Sequence, residues 1–289
     1  MALLMDRTLR LLADAEALGA LAAWLNARHS GTALDPRIDE RLTLLARELG
    51  VTGAPDPMEA KAAAGAIRAF LGHALELIDV PQRPAGWEPP DVMLQSMGQA
   101  SIAVARAIVA LAPGLFDLQT RLNRPGARFL DVGTGAAWLA IELARLVPTL
   151  AVDGIDILER ALGLARQNIA AQGLEARVAV ACTDVAQLDA VDRYEAIWLP
   201  GPFLPREVAV KALELSHRAL VPGGVLLFGL FGDLGEPKSI ALAELRALRS
   251  GGHPWQRAEL HAAMAAAGFA EVRTLPAPGA PLTLHVARR

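Results

Sequence analysis

Phe129-Leu130-Asp131-Val132-Gly133-Thr134-Gly135-Ala136-Ala137 is the stretch on which the reading of this chain turns. An apolar run ends beside a carboxylate, bends through two glycines and passes directly into the helical pattern Trp138 to Leu146. Glycine suits such a bend because a Cβ would obstruct both the turn and the approach of a ligand to the backbone N–H groups at the helix start. Taken alone, the turn is compatible with several nucleotide ligands or with an ordinary strand-to-helix connection.

Working outward, short β-rich runs alternate with helical stretches from Ala127 onward, the pattern of βαβ units around a parallel sheet. The predicted strands are Arg128 to Val132, Leu150 to Ile155, Arg177 to Cys182, Glu195 to Leu199, Val225 to Leu230, Ala270 to Leu275 and Leu282 to Ala287. The last two stand too close together for a crossover helix, so they pair antiparallel. The expected fold is therefore α/β, a seven-stranded doubly wound sheet with its last strand antiparallel, preceded by an all-helical N-terminal domain.

That N-terminal part reads as three helices. Leu4, Leu11, Ala15, Leu18, Leu21 and Leu25 form one apolar stripe interrupted by Thr8. Asp35-Pro36 opens a second helix that ends at Gly50, and Asp56-Pro57 with Glu59 opens a third as a capping box. Pro81, Pro84, Pro89 and Pro90, with Trp87 among them, then break the pattern as a linker. The predicted division is 1–90, a helical cap or dimerisation domain, and 91–289, the catalytic domain.

Two further strand ends give the glycine turn its meaning. The second strand closes on Gly154-Ile155-Asp156, about 20 residues past the glycines, where doubly wound sheets place an acid that binds ribose hydroxyls. The third closes on Cys182-Thr183-Asp184, adding a second carboxylate at the same edge. Ligands of such sheets bind outside these carboxyl ends, at the point where the strand order reverses.

With Asp131-x-Gly133-x-Gly135-x-Ala137 in this setting, the chain resembles the class I S-adenosylmethionine-dependent methyltransferase family over about residues 126–289. The resemblance implies that Gly133, Thr134 and Gly135 lie against the methionine part of S-adenosylmethionine and that Asp131 orients its amino group. It implies further that Asp156 accepts the ribose hydroxyls, Ile157 packs on adenine, and Asp184 with the Val185 N–H reads its amine. Thr183 and Leu199 complete that edge, and Gln99 or Ser101 reaches the cofactor carboxylate from the preceding helix. Ala137 replaces the family's commoner third glycine and is still small. A dinucleotide enzyme would require glycine at position 138 for close helix packing, and this chain has Trp138.

The fourth strand runs out through Ile197-Trp198-Leu199-Pro200-Gly201-Pro202-Phe203, at the edge where a methyl acceptor meets the sulfonium. It only partly matches the Asn/Asp-Pro-Pro-aromatic loop of amino-group methyltransferases, since Leu199 and Gly201 replace the polar residue and the second proline. Trp198, Phe203, Phe231 and Trp255 are the expected substrate-binding residues, with core packing as the alternative for each. His253, in the glycine-rich stretch Ser250 to Trp255, is the candidate general base. His217 and His285 read as structural, and His261 as a surface residue on a helix from Trp255 to Ala267. Methyl transfer from a sulfonium has a good leaving group, so alignment and desolvation carry much of the catalysis.

Composition narrows the partners. The 289 residues are 53% hydrophobic with a mean hydropathy of +0.32, much of it from alanine, and no uninterrupted apolar run reaches about 18 residues. Asp6, Arg7 and Arg10 interrupt any signal-peptide core. A net charge of −3, with no basic cluster, speaks against nucleic acid. The one cysteine, Cys182, excludes a multi-thiolate metal site and reads as an inert thiol in a buried strand. The expectation is a cytoplasmic enzyme without a metal, a nucleic-acid partner or a membrane partner, forming a homodimer and methylating oxygen, nitrogen or carbon on a small hydrophobic or aromatic metabolite of specialised metabolism. The alternatives are a methyltransferase for a protein or modified peptide, and a non-catalytic cofactor-binding module.

Overall fold

Asp35 and Asp56 start helices as their positions predict. The computed structural model describes residues 2–83, 88–232, 236–277, 279 and 282–289. After α1 (Ala2–Ser30), the Asp35 carboxylate accepts the Arg37 N–H at 2.8 Å and opens α2 (Pro36–Glu48). Asp56 accepts the Met58 and Glu59 N–H groups, both at 3.0 Å, and opens α3 (Pro57–Asp79). Each carboxylate satisfies amides that the first helical turn leaves without partners. Trp24, Leu25, Ala46, Ala60 and Ala64 form the core of these helices. The predicted α1 stripe is buried at Leu25, whereas Leu4, Leu11 and Leu18 are exposed.

Pro84 and Trp87 of the predicted linker lie outside the described residues. The chain re-enters a helix at α4 (Asp91–Leu111), and residues 1–102 and 103–289 form two compact units. By length and composition alone, the segment from Asp91 to Gly114 could cross a bilayer. Its Arg106, however, donates at 2.7 Å to Glu142, a carboxylate buried within the second unit.

The second unit begins with the short α5 (Leu118–Leu122) and β1 (Arg128–Val132). Phe129 and Leu130, on opposite faces of β1, are both fully buried, so helices must cover both sides of the sheet. The crossovers supply them: α6 (Trp138–Leu146) leads to β2 (Ala151–Asp156), and α7 (Glu159–Ala171) leads to β3 (Val178–Cys182). After β4 (Tyr194–Pro200) come α8 (Arg206–Ala219), β5 (Leu220–Phe231), α9 (Pro237–Arg249) and α10 (Arg257–Ala266), then β6 (Ala270–Pro276) and β7 (Leu282–Arg288). The sheet order is β3-β2-β1-β4-β5-β7-β6, with β7 antiparallel to both of its neighbours. This is the expected seven-stranded doubly wound sheet. The final strand does not extend the edge; it inserts between β5 and β6.

Three sequence expectations need correction. Cys182 is exposed rather than buried, because β3 is an edge strand whose last residues lack a covering layer. Trp255 precedes α10 instead of starting it. His261 is not a free surface residue: its Nε2 lies 3.0 Å from Thr274 Oγ1 and 3.1 Å from His285 Nδ1, tying α10 to β6 and β7.

His285 is 3% exposed, and burial, with His261 and Arg257 nearby, lowers its pKa to about 4. Between pH 6.5 and 4 the unfolded chain carries a proton there that the folded chain lacks, so stability falls as pH drops through that window and levels off above it. Denaturant titrations at pH 7 and 4.5 should show a loss of about 2–3 kcal/mol from this source. His285→Gln should lose correspondingly less over the same interval, and equal losses would contradict the assignment. A second prediction concerns Gly229 of β5, where an added Cβ would lie 2.2 Å from the Trp198 ring. Gly229→Ala should destabilise the fold by about 1–3 kcal/mol, measured by chemical denaturation.

Candidate active site

The strand order reverses between β1 and β4, and the crevice at their carboxyl ends holds the predicted constellation. β1 delivers Asp131, which is level with Gly154 of β2 and Trp198 of β4. The chain then turns through Gly133 and Gly135 at φ +65° and +54°, in the left-handed region that a side chain disfavours. A Cβ on Gly133 would also lie 3.0 Å from the Pro200 ring. Ala137 takes the same conformation at φ +63° with its methyl group fully buried, so a third small residue is needed there as well.

Side chains lock this turn to β2. The Asp156 carboxylate accepts the Gly135 N–H at 2.8 Å and the Leu158 N–H at 2.9 Å. Thr134 donates its N–H to the Ile155 carbonyl at 3.0 Å and its hydroxyl to Asp131 at 2.8 Å. Asn168 of α7 donates to the Ala136 carbonyl at 2.9 Å.

Burial acts on both carboxylates. Asp131 is 1% exposed, and burial pushes its pKa up to about 7, opposed by the Thr134 hydroxyl and reinforced by the charge of Asp156. Burial also raises Asp156, while the N–H groups of Leu158, Gly135 and Ile157 pull it back down. Asp131 is thus a desolvated acid awaiting a cation. Asp156 is a braced carboxylate with lone pairs to spare, since two oxygens offer about four acceptor sites.

At the next strand end, Thr183 donates its N–H to the Asp156 carbonyl at 2.9 Å. Asp184 accepts the Ala186 N–H at 2.8 Å, capping the 3-10 turn Val185–Gln187. Ile157 is 67% exposed at the same edge, a large apolar surface open to a flat partner, and Val185 is buried. These residues fit an adenosine: two fixed carboxylates, backbone amides and an exposed aliphatic face. Gln99 and Ser101 sit on α4, where the Ser101 hydroxyl donates to the Gly98 carbonyl at 2.6 Å.

The acceptor side departs further from expectation. Leu199 is fully buried, so it has only backbone atoms to offer a cofactor. Trp198 is 6% exposed with its ring filling the space above Gly229, and Trp255 is buried edge-on to Phe228, so both pack as core residues. The Trp255 indole N–H has no hydrogen-bond partner among the described residues. Phe203 and Phe231 do meet, as an edge-on pair with centroids 6.1 Å apart, and Phe203 is 39% exposed.

His253 lies 3.1 Å from Glu259 through Nε2, and Glu259 also accepts from Arg206 at 2.8 Å. The His253 N–H donates to the Leu204 carbonyl at 3.2 Å, just past the 3-10 turn Gly201–Phe203, which brings this histidine to the exit of β4. Glu259 and Arg206 went unnoticed in the sequence because their partners are 6 and 53 residues away with no motif connecting them. Among the described residues, no group of three or more His, Cys, Asp or Glu side chains is placed to hold a metal.

Residues 129–224 match a family described as a methyltransferase domain. A malonyl-[acyl-carrier protein] O-methyltransferase from Geobacter sulfurreducens is 32% identical over 154 residues, covering 50% of this chain and 57% of that protein. A release factor glutamine methyltransferase from Bacteroides thetaiotaomicron is 39% identical over 143 residues, covering 39% and 51%. The chain therefore spans about half the length of these curated relatives. The solved structure of human N-acetylserotonin methyltransferase, in complex with S-adenosylmethionine, superposes over 98% of both chains with a TM-score of 0.62 at 18% identity, a likeness of fold. Glycine turn, matched segment and sheet order agree: residues 129–224 match the methyltransferase-domain family, and the fold is shared with solved S-adenosylmethionine-dependent methyltransferases.

Proposed function

We infer that this protein transfers a methyl group from S-adenosylmethionine to a small, flat acceptor. The observation that carries the reading is Asp131: a buried carboxyl at the foot of a left-handed glycine turn, hydrogen-bonded among the described residues to one hydroxyl. Such a group costs free energy to ionise unless a cation arrives, and the amino group of the cofactor is that cation. Asp156 and Asp184 supply acceptors for the ribose hydroxyls and the adenine amine, and Ile157 supplies the apolar face beneath the base.

The bound sulfonium provides an electrophilic methyl group with a good leaving group. The chain's own residues hold the acceptor in line and keep water away, which is where alignment contributes most. Phe203 and Phe231 form the apolar edge of the acceptor position. His253 is the group placed to take a proton from a hydroxyl or amine acceptor, with Glu259 orienting its ring. A polypeptide-borne acceptor is the second reading; the names of the two curated relatives, acting on an acyl-carrier protein substrate and on a release factor, favour it.

Calorimetry with S-adenosylmethionine tests the cofactor half directly. Because Asp131 titrates at about 7 and the ligand binds its ionised form, affinity should rise with pH, by ~8-fold between pH 6 and 7.5. Asp131→Asn should bind more weakly and lose that slope. A wild-type affinity independent of pH would overturn the pairing of Asp131 with the amino group. For the transfer step, His253→Ala should lower kcat by about 100-fold or more on an acceptor that must lose a proton, with cofactor affinity unchanged. Normal turnover in that variant would remove His253 from the mechanism.

A further inference from the structure

We propose that His261, Thr274 and His285 form a binding site for one divalent transition-metal ion of the Zn²⁺ type, which clamps α10 to the last two strands of the sheet. β6 and β7 are antiparallel, and Thr274 stands directly opposite His285 in their register, so the two side chains share a face. α10 brings His261 to that face. Its Nε2 lies 3.0 Å from Thr274 Oγ1 and 3.1 Å from His285 Nδ1, and those two atoms are 3.1 Å from each other. The imidazole rings stand at 75° with centroids 5.3 Å apart, so two ring nitrogens and a hydroxyl converge as a nearly equilateral triangle.

The triangle suits a cation better than it suits itself. A neutral imidazole nitrogen holds either one proton or one lone pair, and the hydroxyl brings one proton, so at most two of the three edges hold a hydrogen bond of their own. A metal ion uses a lone pair from all three atoms at once. A tetrahedral ion with bonds of about 2.0–2.1 Å separates its ligands by about 3.3 Å, so the triangle needs to open by only ~0.2 Å to seat one. Burial lowers the basicity of both rings, to about 4 at His285, so near pH 7 neither has an extra proton to surrender to the ion. His261 and Thr274 are half-buried, which leaves the outer side open to the incoming ion and to a water as its fourth ligand. Two imidazoles and an uncharged hydroxyl suit Zn²⁺ and not Mg²⁺ or Ca²⁺, which favour carboxylates. Arg257, one turn before His261 on α10, opposes a cation here, but it is exposed and solvent screens its charge.

The test is calorimetry with zinc chloride on the metal-free full chain at pH 7.5, followed by thermal melts with and without Zn²⁺. One equivalent should bind with a Kd in the micromolar range and raise Tm, and EDTA should reverse the rise. His261→Ala, which alters a half-buried side chain outside the core, should weaken binding by about tenfold or more, and Thr274→Val by a few-fold. Cys182→Ser and His253→Ala remove the competing thiol and the His253–Glu259 pair, and both should bind as the parent does. In the unsubstituted chain, Zn²⁺ should shift the ring nitrogen signals of His261 and His285 by NMR, and Mg²⁺ should leave them in place. Absence of saturable binding, binding that survives in His261→Ala, loss of binding in Cys182→Ser or His253→Ala, or ring signals that Zn²⁺ does not move would overturn the site. Binding without a rise in Tm would overturn the clamp, and Mg²⁺ acting as Zn²⁺ does would overturn the class of metal.

Discussion

The hydrogen bond from the Gly135 amide to the Asp156 carboxylate joins two strand ends that the sheet alone would leave independent. β1 and β2 are paired along their length, but beyond Val132 the backbone leaves the ladder and must find other partners. Asp156 provides one, Ile155 another through the Thr134 N–H, and Asn168 a third at the Ala136 carbonyl. The turn is thereby held with φ values above +50° at three positions, a conformation that would relax without that bracing. Its amides and the Asp131 carboxyl are presented to one crevice as a consequence.

The electrostatics of that crevice follow from the same contacts. Each hydrogen bond to Asp156 stabilises its charge, and that charge in turn raises Asp131, whose own relief is a single threonine hydroxyl. One acid is held ready to accept hydrogen bonds and its neighbour is kept near neutrality. The difference arises first from burial, since Asp131 is 1% exposed and Asp156 only part-buried, and then from the backbone N–H groups that Asp156 receives.

The fold was legible because its signals are local. Strand ends, glycines and helix caps at Asp35 and Asp56 depend on neighbours within a few residues, and the structure places them where pattern and capping chemistry predict. The predicted cofactor edge is brought together for the same reason: its residues stand at the carboxyl ends of three consecutive strands. The acceptor half is built from distant pieces. Where the Trp198 ring settles depends on the space left by Gly229 on the neighbouring strand, and whether His261 is exposed depends on Thr274 and His285 arriving from other strands. Cys182 was misread because a single strand pattern does not reveal whether that strand lies in the middle of the sheet or at its edge. Periodicity reports which side of an element is apolar; it does not report what covers it.

The insertion of β7 between β5 and β6 bears on how the chain is made. During synthesis β6 leaves the ribosome before the strand that will connect it to the sheet, since its pairing is with β7 and β5 pairs with β7 on the other side. Until Leu284, Val286 and Ala287 are available, the apolar edge of β5 has no partner and β6 has no place to dock. The half of the sheet built from β1 to β4 can be assembled vectorially, strand by strand, while the other half closes in a single late step. A nascent chain halted between β6 and β7 would expose a strand edge, the surface most prone to pairing with another copy.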